Sequence, residues 1–342
     1  MRAEVITLNS ERNVTLTAYI QEVGNEFAFT YRPAMIVMPG GGYAICSDRE
    51  ADPVALAYAK AGFQTFVLRY TLKDKGPWPM PLEDYDAAVE LICENAEKWH
   101  VDTTKIAAVG FSAGGHLCAC AATMAKHRPA AAILVYPGIL REIADTCQPN
   151  MDCPNEHVDE KTSPCFIVAA CDDRSVDVKN SVMMQLALAE HGVPFECHIY
   201  SFGGHGFSTA EPWVITNEVC ERVPNWVGDS IGWMKEIMGE FTRNGFTEPS
   251  IAVCRNADST PVLSIMCSLA HVRNQDESVQ ILLKPLYEAI EKVADERCIP
   301  RQVMFEHIGK STLKEMFEML SFPKDVVKEI DKKLHNIVNR LS

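Results

Sequence analysis

The stretch Lys105-Ile-Ala-Ala-Val109-Gly110-Phe111-Ser112-Ala113-Gly114-Gly-His-Leu-Cys-Ala-Cys-Ala-Ala-Thr-Met-Ala-Lys126 decides the fold. Lys105 to Val109 is a short, nearly continuous apolar run of the β type, and Gly114 to Lys126 reads as a helix. Between them stands Gly110-Phe111-Ser112-Ala113-Gly114, a Gly-x-Ser-x-Gly with a strand before it and a helix behind. The flanking glycines lack a Cβ, so a strained strand-to-helix turn can lift the Ser112 hydroxyl clear of a sheet. The free N–H groups of the helix that starts there aim at the same spot.

Working outward, the same alternation recurs from Ala34 to about Glu240. The β-type runs are Ala34–Met38, Gln64–Leu68, Lys105–Val109, Ala131–Val135, Cys165–Ala169 and Phe195–Ile199. Most are apolar almost throughout, as strands buried on both faces of a parallel sheet must be. Helical stretches lie between them, near Asp52–Ala61, Leu82–Trp99, Gly114–Lys126 and Val178–His191, with a closing helix at Trp226–Phe241. This predicts an α/β fold, a mostly parallel sheet flanked by helices on both faces. The alternating residues before Tyr31 predict an antiparallel hairpin at the sheet edge, with Val14, Leu16, Ala18 and Ile20 on one side.

After Gly245 the character changes. Ile251–Cys254 and Val262–Cys267 are short runs that could be strands or helix starts, and helices are expected near Val279–Ala294, Thr312–Leu320 and Lys324–Leu341. In the last, Val327, Ile330, Leu334, Ile337 and Leu341 form one apolar stripe, expected to pack on its own domain. The expected organisation is a catalytic domain over residues 1–245 and a mainly helical domain over 246–342, with a linker at Asn244–Pro249. Nothing in the second domain names a ligand; a lid, a partner-docking surface or a homo-oligomer contact are its candidate roles.

Of the 342 residues, 47% are hydrophobic and 23% charged, enough to bury a sizeable core. The net charge of −14 repels phosphate backbones and anionic lipid, so neither nucleic acid nor a bare membrane is an expected partner. No apolar run approaches the roughly 18 to 20 residues of a membrane span, and Met1–Ile20 lacks the pattern of a signal peptide. The 13 cysteines are scattered without zinc-type spacing, as expected for reduced, mostly buried thiols in a cytoplasmic protein.

A serine hydroxyl is a weak nucleophile and needs a base, itself oriented by a carboxylate. His205, in Ser201-Phe-Gly-Gly-His205-Gly-Phe207 after the last strand, is the candidate base. Asp172 and Asp173, in the loop after the strand ending at Ala170, are both candidates for the acid. His116 follows Ser112 closely but lies on the outgoing helix, where a structural role is expected; His100, His127, His191 and His198 read as surface or strand positions. Pro39-Gly40-Gly41-Gly42-Tyr43 lets backbone approach an acyl group, so the amides of Gly41, Gly42 and Ala113 are the expected oxyanion hole. No Gly-Lys-Ser/Thr follows these glycines, which counts against a phosphate loop. Tyr43, Trp78 and Phe207 are loop aromatics expected near the pocket, where they either stack on a sugar face or simply pack, and Arg69 is expected to pair with a helix carboxylate such as Asp84 or Asp86. Such chemistry needs no metal or organic cofactor.

With these residues in view, the segment from Ala34 to Glu240 resembles the α/β hydrolases of the acetyl-esterase/lipase group. It is most similar to the bacterial branch of acetyl xylan esterases and feruloyl esterase-like carbohydrate esterases. The resemblance rests on Pro39–Tyr43 with Ser47-Asp-Arg-Glu50, Val67–Tyr70, Trp78–Leu82, Gly110–Leu117 and Gly203–Phe207. Asp173–Ser181 is similar to the family's Asp-x-x-Val-Pro-Val-Glu-Asn-Ser, with Asp177 for the proline and Lys179 for the glutamate, and this implies Asp173 as the acid. The resemblance implies hydrolysis of small esters, often acetyl groups on sugars such as xylo-oligosaccharides. Two rival readings are a serine peptidase of the prolyl-oligopeptidase type and a non-catalytic binding protein on the same fold. The first lacks room before Ala34 for a gating domain; the second would not be expected to keep a serine, a histidine and an acid in place.

Overall fold

Strand β3 (Arg32–Met38) shows why the strand runs are apolar end to end. Ala34, Ile36 and Met38 enter one hydrophobic cluster while Met35 and Val37 enter another, one on each face of the sheet. This computed structural model describes residues 1–24, 26–27, 29–215, 217–239, 258 and 262–339. The chain divides into two compact units, Met1–Ile251 and Ala252–Ser342. The linker expected at 244–249 and the run at 251–254 lie outside the described residues.

In the first unit β1 (Arg2–Asn9) and β2 (Val14–Ile20) precede β3, followed by α1 (Asp52–Lys60), β4 (Gln64–Arg69), α2 (Met80–Glu94), α3 (Ala96–Trp99) and β5 (Val101–Phe111). Then come α4 (Ala113–Met124), β6 (Ala132–Val135), α5 (Arg141–Cys147), β7 (Cys165–Ala170), α6 (Lys179–Glu190), β8 (Phe195–Tyr200) and α7 (Trp226–Met238). All eight strands form one sheet in the order β1-β2-β4-β3-β5-β6-β7-β8. The β1–β2 and β2–β4 pairs are antiparallel and every later pair is parallel, so the N-terminal hairpin sits at the edge as the sequence implied.

Residues of α2, α4 and α6 (Ala88, Leu117, Ala121, Met184, Leu188) join the cluster of Ile36. Residues of α1 and α7 (Val54, Tyr58, Trp226, Met234) join that of Val37. Helices therefore cover both faces. Because the central strands run parallel, the loops leaving β3, β5, β7 and β8 all emerge at one edge, where open α/β sheets hold their ligands. The expected helix at 82–99 is interrupted at Asn95, whose side-chain amide donates to the Leu91 carbonyl at 2.9 Å. Helix α5 is an element the sequence did not suggest.

In the second unit α8 (Leu269–Arg273), α9 (Glu277–Glu296), α10 (Arg301–His307), α11 (Leu313–Met319) and α12 (Lys324–Leu334) surround Leu283, Leu286, Ile290, Phe305, Met316 and Phe317. Thr312 and Glu315 cap α11 reciprocally. The last helix ends at Leu334, short of the expected Leu341, because the backbone turns to pair: Leu263 N–H donates to the Ile337 carbonyl at 3.1 Å, and Val262 bridges Val338. Val262–Cys267 is thus one bridge followed by a turn, neither strand nor helix start. The stripe still faces the unit's own core through Ile330 and Leu334, with Val327 and Ile337 alongside; Leu341 is outside the described residues. Among the described residues no helix is long and apolar enough to cross a membrane, and Cys118, Cys120 and Cys165 are buried free thiols.

Candidate active site

Ser112 occupies the turn between β5 and α4 with φ +53° and ψ −114°, a backbone conformation that costs a non-glycine residue of order 1–3 kcal/mol. The glycines around it are obligatory by contact. A Cβ on Gly110 would lie 2.0 Å from the Gly114 carbonyl oxygen, and one on Gly114 would lie 2.1 Å from that of Met38. The turn is pinned from both sides: Ser112 N–H donates to the Val135 carbonyl at 3.0 Å, and its own carbonyl accepts from His116 at 2.9 Å and Gly138 at 3.2 Å.

The loops after β7 and β8 bring the other two side chains to this hydroxyl. His205 Nε2 lies 2.9 Å from Ser112 Oγ, and its Nδ1 lies 2.7 Å from Asp173 Oδ2. A carboxylate only accepts, so Nδ1 carries the proton and Nε2 is free to receive one from the serine. The Asp173 side chain is almost wholly buried, and its Oδ1 accepts from the amides of Ser175 (2.8 Å) and Val176 (2.9 Å). Asp172, one residue earlier, points elsewhere: its Oδ1 accepts from Gly203 (2.9 Å) and Gly204 (2.8 Å), clamping the loop that carries His205.

The glycine loop after β3 lies against the elbow. Gly41 has φ +129°, and a Cβ there would stand 2.3 Å from the Ile45 carbonyl oxygen. Gly42, at φ +60°, lines a cavity of about 170 Å³ together with Ser112, Ala113, His116 and His205. Much of the remaining wall comes from Ile143, Ala144 and Cys147 of α5, with Met151 and Val176. Gly42 and Ala113 therefore border the space in front of the serine; Gly41 shapes the loop one residue back.

Of the three loop aromatics, Tyr43 is on the cavity wall, while Trp78 and Phe207 pack around it. Tyr43 lines the cavity but is only 1% exposed, and its hydroxyl meets His116 Nδ1 at 2.9 Å. Trp78 lies outside the cavity wall, edge-on to the His116 ring, its Nε1 donating to Asp152 Oδ2 at 2.7 Å. Phe207 is buried, T-shaped on Tyr136 at 4.6 Å. Tyr43 and Phe207 bury their rings in the loops that support the site, and Trp78 is half-buried.

His116 is structural, as expected, and also forms cavity wall. Its Nε2 donates to the Asp152 carbonyl at 2.8 Å, so Nδ1 accepts from Tyr43, and burial holds the ring neutral with a pKa lowered to about 4. Arg69 departs from expectation and pairs with Asp48 at 2.6 Å. Asp84 is already taken by Thr71 and Arg12, and Asp86 by the amides of Lys126 and His127. The cavity wall from α5 was missed because seven residues with three apolar positions carry little periodic signal. Among the described residues no group of three or more His, Cys, Asp or Glu side chains is placed to hold a metal ion.

The chain is similar to known proteins. The BD-FAE family model matches residues 25–134. The chain is 28% identical over 218 residues to an acetylxylan esterase of Xylanibacter ruminicola, covering 57% of this chain and 45% of that one. A crystal structure of MGS-M1, an α/β hydrolase enzyme from a Medee basin deep-sea metagenome library, superposes with a TM-score of 0.64 at 36% identity, covering 69% of this chain and 98% of that one. An acetyl ester-xyloside bifunctional hydrolase from Caldicellulosiruptor lactoaceticus superposes with a TM-score of 0.61 at 29% identity, over 69% and 97% of the two chains. The chain belongs to the α/β hydrolases. It spans less than half the length of the curated relatives it matches.

Proposed function

We propose that this chain is a serine esterase that hydrolyses small acyl esters, acetyl esters of xylo-oligosaccharides being the favoured substrate class. The observation that carries the reading is the unbroken chain from Ser112 Oγ through His205 to Asp173, at 2.9 and 2.7 Å, opening onto a small cavity. Ser112 attacks the ester carbonyl while His205 Nε2 takes its proton. The carbonyl oxygen, now negative, is met by the amides of Gly42 and Ala113, with Gly41 holding the loop in shape. His205 then protonates the departing alcohol, leaving the acyl group on Ser112. A water that gives its proton to the same nitrogen releases the acid, and Asp173 stays ionised to stabilise the imidazolium.

The acyl group belongs in the cavity. About 170 Å³ is well below the roughly 300–1,000 Å³ of sites that enclose drug-sized ligands, and the walls from Ile143, Ala144, Cys147, Met151 and Val176 are apolar. Both features favour a short acyl chain. The sugar half of the proposal is supported by the names of the acetylxylan esterase and acetyl ester-xyloside hydrolase relatives. A panel of p-nitrophenyl esters of increasing acyl length, run beside acetylated xylo-oligosaccharides and a peptide amide, tests the reading. Acetate release should be fastest and should vanish in Ser112→Ala with the fold intact. Preference for long chains or for the amide, or activity surviving in the variant, would contradict it.

A further inference from the structure

Glu50, the last residue of a single 3₁₀ turn two residues before α1, is a glutamate only 4% exposed. Both its oxygens are occupied. Oε2 accepts from the Gly40 amide at 2.9 Å, and Oε1 accepts from the Tyr136 hydroxyl at 2.7 Å. Tyr136 Oη also accepts from the Ser208 amide at 3.0 Å, which leaves its own proton to point at Glu50. Burial and the neighbouring Glu50 charge push the tyrosine well up in pKa, so it keeps that proton.

These contacts tie together parts of the site that come from separate loops. Gly40 opens the glycine loop, and a Cβ on it would touch Glu50 Oε2 (2.7 Å) and Ser112 Cβ (2.9 Å) alike, so the loop packs closely on both the carboxylate and the nucleophile's residue. Tyr136 follows β6 with φ +37°, one residue beyond the Val135 carbonyl that pins Ser112, and its ring lies 4.9 Å from the His205 imidazole. Ser208 lies in the loop of His205, and its hydroxyl donates to the Arg49 carbonyl at 2.5 Å beside Glu50. A buried carboxylate is costly to keep unless its hydrogen bonds are complete, and here they are completed by groups from separate loops of the site.

We propose that Glu50 and Tyr136 form a positioning brace that locks the glycine loop to the His205 loop and thereby sets the amides and the imidazole in register with Ser112. The brace rests on the serine-esterase reading of the site. Glu50→Gln keeps the volume but turns one acceptor into a donor: its NH₂ either opposes the Gly40 amide, donor against donor, or donates to the Tyr136 oxygen and leaves the Tyr136 proton without its acceptor. Tyr136→Phe removes the hydroxyl alone and serves if the first variant does not fold. Both are compared with the parent on p-nitrophenyl acetate, with rates divided by sites titrated with a fluorophosphonate and thermal midpoints recorded in parallel.

Each variant should lower kcat at least tenfold with KM within about threefold, and the double variant should lose little more than either single one, as for residues acting as a unit. Rates per titrated site within threefold of the parent, whatever the thermal midpoint does, would reduce the pair to ordinary structural packing and overturn the proposal. So would fully additive losses. A parent that neither turns over the ester nor reacts with the phosphonate would instead refute the esterase reading itself.

Discussion

Asp172 and Asp173 are adjacent and chemically identical, yet the structure gives them opposite sensitivities to the same substitution. In Asp173→Asn the carbonyl oxygen of the amide can keep the Ser175 and Val176 amides, so the loop should hold its shape. The NH₂ group then faces His205 Nδ1, where the carboxylate oxygen stood at 2.7 Å. Two donors cannot share that contact, so the imidazole must move its proton to Nε2, the atom 2.9 Å from Ser112 Oγ that has to accept one. A triad held in the wrong tautomer loses about 10⁴ in kcat, close to 5 kcal/mol of barrier. In Asp172→Asn both loop amides bind a single oxygen, which the amide carbonyl supplies equally well. Its kcat should stay within about threefold, since only the charge on two hydrogen bonds is lost. Steady-state kinetics on p-nitrophenyl acetate with thermal midpoints for both proteins decide the matter. Equal losses in the two variants, or a loss below tenfold in Asp173→Asn, would refute the assigned division of labour.

Met151 is a buried wall of the acyl cavity, so Met151→Ala should raise the butyrate-to-acetate ratio of kcat/KM by about tenfold, the worth of a methylene in such a pocket, while costing about 2–5 kcal/mol of stability. An unchanged ratio across the ester series would show that the acyl chain goes elsewhere. His116 ordinarily titrates near 6.5 but is held at about 4 in the folded protein, so the unfolded chain binds its proton first. The stability this contributes is complete above pH 6.5 and is lost as pH falls towards 4. Urea unfolding of the parent should therefore lose about 3 kcal/mol more over that interval than unfolding of His116→Gln, and identical slopes would contradict a neutral buried ring.

The sheet was legible because parallel strands covered on both sides must be apolar at every position, and Ala34–Met38 has no other use for such a run. The elbow was legible because only glycine fits at 110 and 114. Choosing Asp173 over Asp172 was not possible from the two residues themselves: one step along a turn decides which carboxylate faces the imidazole and which faces the Gly203 and Gly204 amides. Arg69 was misassigned for a similar reason, since the nearer candidates in sequence were already satisfied by Thr71, Arg12 and backbone amides. The aromatics at 78 and 207 stayed open between stacking and packing because a ring on a loop reads the same whether it faces solvent or, like Phe207, seals the loop onto Tyr136. Glu50 lay in view within Ser47–Glu50, but its burial depends on Tyr136, 86 residues away in the chain.

The central claim is that Ser112 is the nucleophile, activated by His205. Peptide mapping by mass spectrometry after reaction with a fluorophosphonate tests it most directly. The account predicts a single phosphonyl adduct on the peptide bearing Ser112, formed in the parent and all but absent in His205→Gln. Ester turnover accompanied by an adduct on another residue, or labelling of Ser112 at an undiminished rate without the imidazole, would contradict it.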